Sequence, residues 1–175
     1  DYDQFAQALR DKGLKVQGLN LTKTPRIPDN TSVLVIAGPA HKLLDGEEKI
    51  VQDYLQHGGD LLWLADPEEP VNEGLAKSLG VTWLNGFAVF ANYQLLGTGN
   101  PAIYLATDYP PNPVTRDLDA VTAFPLVRPL RTEAAGDWQA QPLLQTDDKS
   151  WLETGGMQGE ISFDEKSGDV RGPLT

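Results

Sequence analysis

The chain has 175 residues, with 14 Lys and Arg against 25 Asp and Glu, a formal net charge of −11. That balance opposes binding to nucleic acid and to anionic lipid, both of which need clustered cations. The absence of cysteine excludes disulfides, thiolate metal sites, iron–sulfur clusters and a cysteine nucleophile within these residues.

The first eighty or so residues alternate between helix and strand signals. Tyr2, Phe5, Ala6 and Leu9 lie at i, i+3, i+4 and i+7 on one helical face, and Gly13 stands where a helix commonly stops. Residues 14–19 alternate apolar and polar, as a half-buried strand does, before the turn-prone residues 25–30. Val33-Leu34-Val35-Ile36-Ala37 is a continuous apolar run of the kind buried on both faces of a parallel sheet. Asp45 and Glu48 have the spacing of a capping box, and Ile50, Val51, Tyr54 and Leu55 form an apolar stripe that ends at Gly58-Gly59. A second buried-strand run, Leu61-Leu62-Trp63-Leu64-Ala65, is closed by Asp66-Pro67. A helix over 72–79 and a short strand over 81–84 follow.

After Gly86 the pattern changes. Strand-like runs at 87–90, 103–106, 121–126 and 142–145 are separated by Pro- and Gly-rich turns, and Pro110-Pro111-Asn112-Pro113 can only extend or turn. The predicted class is α/β: an open, mostly parallel sheet with helices on both faces, flavodoxin- or amidotransferase-like, to which the second half adds antiparallel strands and long loops. Residues 1–85 supply the doubly wound part and 86–175 the strand- and loop-rich part of one domain. No run approaches the roughly 20 apolar residues that span a bilayer. The chain starts Asp1-Tyr2-Asp3, and is expected to be a segment of a longer protein.

Few residues carry chemistry. Ser32, Ser78, Ser150, Ser162 and Ser167 stand in no G-x-S-x-G elbow, and His41 and His57 are the only histidines. Their positions give no zinc-ligand spacing, and no metal or cofactor is assigned. Gly97-Thr98-Gly99-Asn100-Pro101-Ala102 matches a dinucleotide fingerprint in letters alone, because a strand-like run follows it instead of a helix. His41 follows Gly38-Pro39 at the carboxyl end of the first buried strand, where open α/β sheets place ligands; a solvated loop histidine is the ordinary alternative. Asp66 and Glu68 follow the second buried strand and could line the same crevice, holding a divalent cation or sugar hydroxyls. The ligand-binding candidates are therefore Gly38, Pro39, His41, Asp66 and Glu68. Trp63 and Trp83 read as core residues, and Trp138 and Trp151 as the better candidates for an exposed stacking platform, with packing under the long loops as the ordinary alternative for both.

A resemblance rests on several of these runs in order: 32–39, Leu43-Leu44, Glu47-Glu48, Tyr54-Leu55 with Gly58-Gly59, and Leu61 through Asp66-Pro67. Asn112-Pro113-Val114-Thr115, Phe124-Pro125, Pro142-Leu143-Leu144, Thr146, Ser150-Trp151 and Gly172-Pro173-Leu174-Thr175 extend it. The chain resembles the auxiliary component of uncharacterised ABC-type transport systems, the group that includes gliding-motility-associated auxiliary proteins. The resemblance implies a non-enzymatic extracytoplasmic domain, periplasmic and anchored to the inner membrane by helices outside these residues. Its implied partners are a permease and an ATPase, with a saccharide-like or other small-molecule ligand as a further possibility. No catalytic residue is carried over. Two other readings stand beside it: a hydrolase or lyase of amidotransferase-like fold using Asp66, Glu68 and His41, with or without a divalent metal, and a structural module packed against a neighbouring domain.

Overall fold

The computed structural model describes every residue except 1, 68, 69, 92, 95, 96, 98, 156 and 158–160. Two compact units divide the chain: residues 1–65 with 69–75, and residues 66–68 with 76–175.

In the first unit, helix α1 (Asp3–Asp11) is amphipathic and buries no residue completely. Strand β1 (Val33–Ala37), helix α2 (Asp45–Gln56) and strand β2 (Asp60–Leu64) form one β-α-β element. The two strands pair in parallel, with Val33 opposite Asp60 and Ala37 opposite Leu64. Val51 and Leu55, four apart on α2, are buried. Removing each from water stabilises the unit by roughly 1.5–3 kcal/mol. The capping differs from the expected Asp45–Glu48 pair. Leu44 precedes the helix and Glu47 turns back to accept from its backbone N–H at 3.0 Å, so the carboxylate sits one residue earlier than the letters suggested. At the other end His57 closes the last turn, its Nδ1 lying 2.6 Å from the Asp53 carbonyl oxygen.

The described strands do not form the flavodoxin-like sheet expected from the sequence. Only β1 and β2 run parallel, and Val33, Val35 and Leu62 are exposed. Residues 15–19 have the alternation of a strand, but their amides donate no backbone hydrogen bond to a described residue. The later strands go elsewhere. Helix α3 (Glu73–Ser78) leads into β3 (Val81–Trp83), whose partner is β7 (Leu130–Thr132), and β4 (Phe87–Phe90) pairs with β8 (Ser150–Glu153). These pairings are antiparallel, as are those of β5 (Ile103–Ala106) with β6 (Thr122–Pro125) and of β8 with β9 (Val170–Arg171). The molecule is mixed helix and strand, with short and mostly antiparallel sheets.

Among the described residues, the second unit has two apolar clusters. Ala88, Leu152 and Leu174 pack with Leu84 and Val127, and Phe90, Tyr104 and Ala106 pack with Tyr109, Phe124 and Leu144 among others. The Phe90 and Tyr104 rings meet edge to face at 6.0 Å, an arrangement the aromatic quadrupole favours. Gly86 enters β4 at φ +137°, and a Cβ there would lie 2.3 Å from the Glu153 carbonyl oxygen, so β8 approaches β4 only because this residue has no side chain. Residues 142–145, expected as a strand, are not one. Trp151 is buried in β8 and not exposed in a loop, whereas Trp138 is exposed. No helix among the described residues is long and apolar enough to cross a membrane.

Candidate functional site

The first unit places Gly38, Pro39 and His41 on one loop at the carboxyl ends of β1 and β2. The Gly38 amide donates to the Leu64 carbonyl at 3.1 Å, extending the parallel ladder by one bond. The chain then turns away through Gly38 at φ +54°, a conformation that costs glycine little and other residues more. The far end of the loop is held as well. The Leu43 amide donates to Asn72 Oδ1 at 2.7 Å, and the Leu44 amide to Glu47 Oε2. Between these tethers Ala40 and His41 are exposed and Pro39 is half-buried. Lys42 reaches Glu73 at 3.6 Å, an exposed ion pair that contributes little to stability.

Asn72 is the residue that sequence reasoning missed. It is 2% exposed, its Oδ1 fixes the loop, and its Nδ2 has no hydrogen-bond partner among the described residues. An Asn just ahead of a helix signals an N-cap; here its oxygen instead serves an amide twenty-nine positions earlier in the chain, a pairing that no local pattern contains. Asp66 is exposed and belongs to the second unit, and Glu68 lies outside the described residues. Among the described residues no three His, Asp or Glu side chains gather in a metal-binding group.

Among the described residues, the second unit holds two buried carboxylates, and both are engaged internally. Trp151 and Glu153 sit two apart on β8 and so share a face. Trp151 Nε1 donates to Glu153 Oε2 at 3.0 Å, and the Gly155 amide donates to Oε1 at 2.9 Å. Asp169 binds across a long loop. Its Oδ1 accepts from the Thr154 amide and hydroxyl at 3.0 and 3.1 Å, and its Oδ2 from the Asp164 amide at 2.9 Å. Burial by itself would raise the Asp169 pKa; the hydrogen bonds from Asp164 and Thr154 outweigh it and hold the carboxyl below its ordinary value. With these acceptor bonds in place the two carboxylates brace β8 and loop 154–169. Neither has the geometry of a free general base. Arg171 lies over the Phe163 ring at 3.9 Å and closes the same loop.

Residues 1–171 match the family described as "ABC-type uncharacterized transport system". No curated protein matches the chain. Among solved structures, the chain is similar to the "mmIFT52 N-terminal domain", at 19% identity and a TM-score of 0.62, over 89% of this chain and 73% of that one. At that identity the likeness concerns the fold alone.

Proposed function

The chain belongs to the family of auxiliary components of ABC-type uncharacterised transport systems, and from that premise we propose that it is a non-enzymatic binding domain of the auxiliary subunit. It works on the extracytoplasmic, periplasmic side of the inner membrane, anchored by segments outside these residues, beside a permease and an ATPase. The family match over nearly the whole chain is the observation that carries this reading. The engagement of Glu153 and Asp169 in structural hydrogen bonds supports a binding role over a catalytic one. Within the first unit, the tethered loop carrying Gly38, Pro39 and His41 is the place for a small polar ligand such as a saccharide. Its backbone is fixed at both ends, so little ordering entropy would be lost on contact.

Affinity purification of the tagged full-length protein from solubilised membranes tests the reading. Stoichiometric co-elution of a permease and an ATPase, identified by mass spectrometry, is the expected result. Elution of the protein alone would overturn it.

A further inference from the structure

The connection between β5 and β6 is long and irregular. Residues 107–121 leave the sheet at the pair Ala106–Thr122 and form no strand or helix of their own. Connections of this length without secondary structure are uncommon in compact domains and are often functional. This one is closed and braced. Tyr109 and Thr122 hydrogen-bond through their hydroxyls across its neck, and Tyr109 packs on the cluster of Phe90, Tyr104 and Ala106. Pro110, Pro111 and Pro113 fix φ on the way out. Asn112 then starts a single helical turn: its Oδ1 accepts from the Val114 amide at 2.9 Å and its carbonyl from the Arg116 amide at 2.9 Å. Thr115 is buried and pins that turn, its hydroxyl donating to the Pro110 carbonyl at 3.1 Å.

What this bracing presents is apolar. Val114 is 76% exposed, Leu118 43% and Val121 63%. Val114 and Leu118 flank the residues that Thr115 pins, and both side chains are exposed. Single exposed apolar side chains are ordinary on a soluble surface, but three within eight residues, held out on a rigid loop, are not. The charge around them narrows the occupant. Asp108, Asp117 and Asp119 accompany the apolar residues, against the single cation Arg116, which lies 3.9 Å from Asp117. An anionic membrane surface would repel this loop, and a second copy would set the same acidic residues against each other. A protein surface with an apolar hollow rimmed by Lys and Arg complements it on both counts.

We infer that loop 107–121 is the docking knob of this domain, inserting Val114 and Leu118 into an apolar, basic-rimmed hollow on the permease. The inference rests on the auxiliary-subunit reading for the identity of the partner, and not for the location of the surface. A photo-reactive benzophenone residue placed at Val114 of the full-length protein, irradiated in its own membranes, should give an adduct with the permease, mapped to a segment containing Lys or Arg. The double variant V114D/L118D should lower the amount of co-purified transporter at least tenfold while its melting temperature stays at the wild-type value. The charge-reversal pair D117K/D119K, in which both residues are exposed, should lower it severalfold without any change in the core.

If wild type co-purifies with the transporter and both variants do so equally well, the knob is wrong and the family reading survives. If wild type elutes alone and position 114 gives no adduct, both fall. An adduct with lipid or with a second copy of the chain also overturns the proposal.

Discussion

The loop at 38–44 and the loop at 154–169 solve the same problem in opposite ways. Each follows a strand, and each is tied by one buried polar side chain, Asn72 for the first and Asp169 for the second. Asn72 fixes the first through one hydrogen bond and leaves its own Nδ2 unpartnered among the described residues. Asp169 fixes the second through three, which engage both of its carboxylate oxygens. The first arrangement keeps a loop open at its middle, with His41 exposed; the second commits charge wholly to structure. Buried carboxylates therefore mark the brace of this molecule, and the loops that can meet a ligand or partner lie elsewhere.

Breaking the brace should have the largest effect. Asp169→Ala removes the acceptor shared by the amides of half-buried Thr154 and exposed Asp164. A loss of about 3 kcal/mol in the stability of the second unit is expected by urea denaturation, because hydrogen bonds to a charged group contribute roughly 1.5–3 kcal/mol each and water replaces part of them. Asp169→Asn retains only one carbonyl oxygen and should fall between that variant and the wild type. The same group sets a pH dependence. Its folded pKa is depressed, so its contribution is fully present above the unfolded value near pH 4 and is lost as pH falls through the lower folded value. Acid titration of the wild type should show a destabilising step below about pH 4 that is absent from Asp169→Ala.

Asn72→Ala in the other unit should cost less, about 1–2 kcal/mol, because a single amide, that of Leu43, loses its partner. Asn72→Asp would keep an acceptor for that amide but bury a charge, and should be the more destabilising of the two at pH 7. A reversal of that order would show that the unpartnered nitrogen is not confined to an apolar or donor-poor site. The smallest effect belongs to His41→Ala, which is exposed and should change stability by no more than about 0.5 kcal/mol. A larger loss would mean that His41 braces the loop instead of being presented by it.

The parts legible in the sequence were those whose reason is local. The run at 33–37, the stripe of Val51 and Leu55, and the strands at 87–90 and 103–106 follow from periodicity and from residues that fit a half-buried pleat. Strand β8 was not legible, because Ser150 and Glu153 read as surface residues. Both are buried, since Ser150 bonds Thr146 and the Asp147 carbonyl, and Glu153 bonds Trp151. Strands β7 and β9 are too short to carry a period. Residues 14–19 show the reverse failure: their alternation permits a strand, but a strand needs a partner, and pairing is not written in the segment itself. Gly38, Pro39 and His41 were found because a strand's carboxyl end is a general location for ligands. Asn72 and the loop at 107–121 were not, since their roles depend on what lies opposite them in space.

Hydrogen–deuterium exchange of the full-length protein, alone and assembled with its transport system, tests the division between brace and contact most directly. The account predicts that amides 112–118 slow on assembly while the amides of Thr154 and Asp164, already held by Asp169, exchange at the same rate in both states. Slowing confined to Thr154 and Asp164, with 112–118 unchanged, would contradict it.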